Sequence, residues 1–357
     1  MTPSSAAPAR VAHAHAGSPV SPVASLELSE RVRRLHEAVR SARPAVSAER
    51  ARLITRYFRS RAHRAKPIVV QQAEALAHVL REKLVRIHPG ELLVGCFTPH
   101  RVGGELHPEL HGIAMLEDIF RFERRPVNPF SVSPAERRQL LLQVLPFWLT
   151  RFMLVRIRPL RRALRLVADQ LNPLFGLINE AGGVSHFVPN YARLLAEGTD
   201  ALRRHAAKRL EREPADSPAA HFFRAVEVVS GALDEFAQGY RHAAERQAAV
   251  EPDPQRRLEL ERIAAVCARV PRLPARTFHE ALQALVFAQI ALNLESLDNS
   301  VSPGRLDQVL RPYYECDLAD GRLDRDGAFE LLGCYAVKLC EIVPVERSTL
   351  RTRPVHP

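Results

Sequence analysis

The side chains in this 357-residue sequence that could attack a substrate, change oxidation state or hold a metal are five cysteines and fifteen histidines. The cysteines (Cys96, Cys267, Cys316, Cys334, Cys340) are odd in number and contain no C-x-x-C pair. That argues against a disulfide framework and a zinc ribbon, which need paired thiols. Cys334 and Cys340 stand six apart in an apolar helical run and would face different directions, so they are poor joint ligands. The histidines include "HAHAG" near the start and "HPELH" at 107–111, but no HExxH occurs and the remainder have no ligand spacing, so no metal site is expected. "DLADGRLD" looks like a calcium loop until Gly321 is aligned with the loop glycine. Cys316 and Leu318 then fall where carboxylates are needed, and Gly327 where the closing Glu belongs. No GxGxxG follows a strand, and neither GxxxxGK[ST] nor GxSxG is present, which removes simple dinucleotide, P-loop and hydrolase readings.

What remains is hydrogen-bonding rather than nucleophilic. Asn299 and Ser300 precede the polar turn "SPGRLDQ", between a buried-looking helix end and a second apolar helix, as in the wall of a pocket. Ser300 can donate and accept a hydrogen bond, and Asn299 can do the same without titrating. Arg305 and Asp307 fit an ion pair or turn clamp.

The elements that must position this wall are mostly helical. Ser29 caps "ERVRRLHEAVR", Ser47 stands ahead of Glu49 and Arg50 in the same way, and "PIVVQQAEALAHVLREKLVRI" continues with helical spacing. "ELLVGCF" is the best strand candidate of the N-terminal half, and "HRVGGELHPELHG" after it is rich in Gly, His and Pro and reads as loop. Ser133 and Pro134 open another helix. "LFGLINEAGGVSHFVPNYARLLAEG" has a Gly-rich turn feeding a long helix, and 219–250 and 254–269 are two helices parted by "EPDP". "TFHEALQALVFAQIALNLES" is apolar nearly all round and must lie inside a large fold. In a chain of this length, at least one side of it should lack a partner. Residues 1–27 have no periodicity and read as a disordered tail, followed by one unit over 28–345 and an unmatched tail at 346–357.

A content of 46% apolar residues suffices for a sizeable core, and neither a spanning segment nor a signal peptide is recognisable, so a cytoplasmic location is expected with no membrane contact. The net charge of +11 is spread over many helices with acids between, as on solvated faces, and nucleic acid is not expected as a partner. The exception is "LTRFMLVRIRPLRRALR" at 149–165, with six Arg and no acid, which leaves polyanion binding as a lesser reading.

Six ordered blocks carry a resemblance: "ERARLITRYFRSR", "ELLVGCFTPHRVGGELHPEL", "PFSVSPAERRQLLLQVLPFW", "GGVSHFVPNYARLLAEGTDAL", "PDPQRRLELERIAAVCARVPRLPARTFHEALQAL" and "SVSPGRLDQVLRPYYECDLADGRLDRDGAFELL". In order and spacing they resemble the N-terminal part of the pyruvate formate-lyase-like glycyl radical enzymes, nearest the branch of glycerol and diol dehydratases and choline trimethylamine-lyase. The resemblance implies a mainly α fold with a few strands: the N-terminal half of that family's α/β barrel, an incomplete barrel. It also implies a small-molecule substrate for the parent enzyme, and an activating partner that uses S-adenosylmethionine and an iron–sulfur cluster to install the glycyl radical. By the resemblance, the wall residues Asn299 and Ser300 and the loop residue His186 occupy substrate-binding positions, with Asn299 where related dehydratases have His. No catalytic residue and no bound cofactor is assigned to this chain, because the radical Cys and Gly loops of the family lie beyond the matched blocks. Gly95-Cys96 and Gly103-Gly104 echo those loops, but Thr98 and Glu105 stand in place of the acid and aromatic that should follow. The expectation is a lyase or dehydratase portion unable to run the reaction alone. The rival reading is a degenerate helical binding or scaffold protein, complemented in trans by a separate C-terminal half; for a complete enzyme the resemblance implies a homodimer.

If the arginines of 149–165 form a solvated face, binding to duplex DNA or anionic vesicles should be weak and fade steeply between about 50 and 200 mM salt. Binding that survives physiological salt and is lost on replacing Arg158, Arg161 and Arg162 with Ala would assign them a polyanion site.

Overall fold

The structure, a computed structural model, describes residues 27–60, 63–111, 118–125, 128–151, 161–162, 165, 187–295 and 301–345. Of the expected tails, 1–26 and 346–357 lie outside it, as does most of the basic stretch.

Helix α1 (Glu30–Arg40) starts where the sequence places it, with Ser29 Oγ accepting from Val32 N at 3.2 Å. Strand β1 (Ala45–Ser47) leads into α2 (Glu49–Arg59) and α3 (Ile68–Glu82), and the chain returns as strand β2 (Gly103–Glu105). Ser47 ends the strand, its Oγ accepting from Glu49 N at 3.0 Å. After β2 come α4 (Pro108–His111), α5 (Pro134–Gln139) under a complete Ser133/Glu136 capping box, and α6 (Leu145–Trp148). Next are α7 (Tyr191–Leu210), α8 (Pro218–Ala248), α9 (Pro254–Arg269), α10 (Phe278–Glu295), α11 (Leu306–Ala319) and α12 (Arg325–Cys340). Helix α7 bends at Gly198, whose φ of 72° favours glycine and which lies against the backbone of Arg272.

β1 and β2 pair in parallel, Ala45 opposite Gly103 and Ser47 opposite Glu105. Single parallel bridges extend the array: Ser131 joins the outer side of β1, and Ile342 the outer side of β2. The result is four parallel segments connected through helices, a wall with helices against it. Gly104 is needed because a Cβ there would run into Val343 O and the Val345 side chain. The GG pair thus serves close strand approach, and the stretch read as loop supplies both β2 and α4.

The expected strand at 91–97 takes no place in the sheet. Its backbone is satisfied by helix side chains instead. The Gln283 amide accepts from Val94 N at 2.8 Å and donates to Val94 O at 2.6 Å, as a neighbouring strand would. His279 Nε2 meets Leu92 O at 2.8 Å, and Tyr240 OH takes Cys96 N at 2.8 Å.

Those partners come largely from α10. Fifteen of its eighteen residues are buried, and Leu282, Leu285, Phe287 and Ile290 have at most 3% of their surface exposed. Only Leu292 of the apolar ring is half-buried. The expectation of an uncovered side is therefore wrong: α3, α7, α8, α9, α11 and α12 all pack against α10, which closes its circumference within this chain.

Replacing Gln283 with Leu keeps the packing volume but strands both polar groups of Val94. At about 1–3 kcal/mol for each buried unsatisfied group, the variant should lose about 2–6 kcal/mol in urea unfolding. A loss below 1 kcal/mol would show that these bonds do not hold the segment.

Candidate functional site

A small recess lies where residues 95–97, α10 and the end of α12 converge. It is lined by Gly95, Phe97, Val286, Gln289, Ile290, Lys338, Leu339, Glu341 and Ile342. The backbone there is fixed by the sheet: Gly103 N donates to Glu341 O at 3.1 Å, and Val343 N to Gly103 O at 3.0 Å.

Beside the recess lies a buried cluster of four charges. Lys338 Nζ reaches Glu91 at 2.6 Å, Gly95 O at 2.9 Å and Glu341 at 3.1 Å. Arg101 pairs with Glu91 at 2.7 Å and Glu341 at 3.1 Å. Burial opposes every charge here, and the arrangement divides the two acids. Burial raises Glu91, but the Lys338 ammonium together with His88 and Arg101 outweighs it and holds that carboxyl below its ordinary value. Burial dominates at Glu341, which is pushed up to about 7 although Lys338 pulls the other way. Burial likewise pulls Lys338 down, yet the two carboxylates raise it above the ordinary lysine range. Glu341 is thus the group of this site that can exchange a proton near neutral pH.

A second buried cluster joins α2 to β2 and to the segment before it. Lys83 Nζ bonds Glu49 at 2.7 Å, Phe97 O at 2.8 Å and Glu105 at 3.3 Å. Arg50 donates through Nε to Leu294 O at 2.6 Å, and its Nη2 pairs with Glu109 at 2.6 Å.

The proposed wall residues His186, Asn299 and Ser300 lie outside the described residues. Their chain neighbours Phe187 and Val301 form a parallel bridge, with Ser302 N donating to Phe187 O at 3.1 Å. Gln289 ties this bridge to the core: its Nε2 donates to Val301 O at 3.0 Å and its Oε1 accepts from Tyr191 OH at 2.6 Å. The same Gln289 lines the recess. Arg305 and Asp307 form an ion pair at 2.6 Å, both well exposed, as the sequence suggests.

The echoes of radical loops have other roles. Cys96 is buried, its Sγ donates to Arg86 O at 3.3 Å, and burial raises its pKa, so the thiol is neither exposed nor ionised. Among the described residues no group of three His, Cys, Asp or Glu could hold a metal, and the described cysteines are free thiols.

Sequence reasoning missed Glu91, Lys338, Glu341, Tyr191 and Gln289. One signal was present: Lys338 stands in the apolar run "GCYAVKLC", where an uncompensated ammonium would be untenable, so a buried acid partner was implied.

Parallel segments backed by helices, with a small, mainly apolar recess beside a buried charge cluster and a bridge anchored from the buried central helix, make up part of a barrel wall. The chain belongs to the pyruvate formate lyase-like family, whose model matches residues 26–352. Isethionate sulfite-lyase of Nitratidesulfovibrio vulgaris is 32% identical over 327 residues, covering 88% of this chain and 39% of that enzyme. Among solved structures, the enzyme of 1,2-propanediol dehydration in Roseburia inulinivorans superposes with a TM-score of 0.82 at 31% identity, over 91% of this chain and 41% of that one. The B12-independent glycerol dehydratase from Clostridium butyricum gives 0.81 at 27% identity, over 90% and 41%. The chain spans about two fifths of the length of these relatives and matches their N-terminal portion. Among the described residues no helix is long and apolar enough to cross a membrane.

The Glu341 carboxyl gives the fold a signed pH response. Burial pushes its pKa up to about 7 in the fold, from the ordinary carboxyl value of 4.5 in the unfolded chain. Between those values only the unfolded chain has released the proton, so stability is lost as pH rises through this window. Glu341→Gln should match the parent near pH 4.5 and exceed it by about 2–3 kcal/mol above pH 7. A stability difference flat from pH 4.5 to 8 would rule out this titration.

Proposed function

We propose that this chain is the substrate-wall portion of a glycyl radical lyase or dehydratase acting on a small hydroxylated or carboxylated substrate. The similarity to dehydratases and sulfite-lyases along nearly its whole length carries the reading. In it, Ser300 and Asn299 hydrogen-bond a substrate hydroxyl, His186 offers a second contact, and the Gln289–Tyr191 pair holds the adjacent backbone. The reaction draws on a glycyl radical installed by an activating enzyme that uses S-adenosylmethionine and an iron–sulfur cluster. Nothing on the described wall fits that role: Gly103 and Gly104 are pressed between strands, and Cys96 is buried and protonated. These 357 residues therefore act with a C-terminal half of the barrel, as a cytoplasmic enzyme of anaerobic metabolism.

One observation favours a second reading. Because α10 is covered on all sides within this chain, the wall has a core of its own, as a self-sufficient binding or scaffold relative would.

The test is anaerobic activation followed by electron paramagnetic resonance. The isolated chain with an activating enzyme and S-adenosylmethionine should show no glycyl doublet. Added C-terminal half-barrel from a diol dehydratase should give both the doublet and product from 1,2-propanediol, and Ser300→Ala should remove most of the turnover while keeping the doublet. A doublet in the isolated chain would move the radical to Gly103 or Gly104. A cooperative complex with radical but no substrate turnover would favour the scaffold reading.

A further inference from the structure

Helices α11 and α12 are joined by the turn at 320–324, and both pack on α10. Each presents an apolar stripe at helical spacing: Leu306, Leu310 and Tyr314 on α11, Ala328 and Leu332 on α12. The stripes face a common groove of about 420 Å³, with Phe278 as its floor and the Tyr314 ring 5.8 Å from the Phe278 ring. Its volume lies within the range of about 300–1,000 Å³ typical of small-molecule sites. Leu332 keeps 37% of its surface exposed at the groove's open side.

The charges on the rim select the occupant. Asp307 is taken by Arg305 at 2.6 Å, and Arg311 by Glu315 at 2.7 Å. Arg325 also lines the groove, and among the described residues its side chain has no ion pair or hydrogen bond. The groove therefore offers an apolar trough with one uncompensated cation, whose planar fork suits a carboxylate. From Leu306 to Tyr314 the trough runs eight helical residues, about 12 Å, too short for a partner helix to seat more than about two turns. We propose that this groove binds a medium-chain aliphatic carboxylate, its chain between α11 and α12 and its head on Arg325, at a site separate from the recess beside Glu341.

Titration of the full chain with hexanoate, octanoate and decanoate, followed calorimetrically, tests this. Each added methylene should tighten binding roughly fourfold, from the burial of one more CH₂. 1-Octanol should bind about fivefold more weakly than octanoate, as expected for losing one exposed charge pair, and octyltrimethylammonium more weakly still. Arg325→Gln should bring octanoate to the level of octanol and leave octanol unchanged. Leu332→Asp, at a position exposed enough to spare the fold, should abolish binding of both. The proposal is overturned by absence of saturable binding, by octyltrimethylammonium binding as tightly as octanoate, or by an unaffected Arg325→Gln. Sedimentation showing self-association that Leu332→Asp breaks, with no octanoate binding, would overturn it in favour of a second copy of this chain.

Discussion

A helix with no water-facing side sets the terms for the rest of this structure. Helix α10 is buried around its circumference from Phe278 to Ala291, so the polar groups it carries there must be used internally. Gln283 is fully buried, and its amide serves both backbone groups of Val94; His279 serves Leu92, and Gln289 serves Val301. Buried neutral imidazole is consistent with this: burial lowers the His279 pKa to about 4, leaving a ring N–H for the Leu92 carbonyl. The helix is at once the apolar centre of the core and a substitute for missing strand partners. Two extended segments far apart in the chain, 92–96 and 301–302, are placed by it.

The charged clusters extend that logic to the wall. Lys83 joins α2, β2 and the segment before β2, while Lys338 joins the same region to the end of α12 more than 240 residues away. Each ammonium is fully enclosed and bonded to two carboxylates and a carbonyl. Such clusters add little net stability over apolar packing, because desolvation offsets the Coulomb attraction. What they do supply is register: a shifted strand would leave a buried charge unpaired, at a cost of about 3–5 kcal/mol. This is a reason for placing one at the central β1–β2 joint and the other where the segment at Ile342 meets β2, in a parallel array whose pairs are only one to three residues long.

The candidate site inherits its character from both devices. Glu341 caps α12, accepts from Gly103 N of β2 through its carbonyl, belongs to the charge cluster and lines the recess, so its proton is tied to the position of the wall. Gln289 links the recess to the bridge between Phe187 and Val301. Family membership accounts for a wall built this way, since the relatives are enzymes of the same partial architecture at more than twice the length.

The helices were legible because their signals are local. Ser29, Ser133 and the prolines opening α8 and α9 mark starts that depend on neighbouring residues alone, and the uniform apolarity of 278–295 announced a buried helix. The family was legible because its blocks keep their order. The strands were not: "ELLVGCF" has strand composition but is satisfied by glutamine, histidine and tyrosine side chains from distant helices, whereas the glycine-rich stretch behind it pairs because neighbouring strands need the room. The cover on α10, the ion pairs of Lys338 and Lys83, and the raised Glu341 all depend on contacts between residues separated by tens to hundreds of positions. Sequence by itself determined which segments are helical, which helix is central and which family the chain resembles. Tertiary structure alone decided which backbone becomes sheet and which charges meet, because desolvation and strand pairing are properties of neighbours in space.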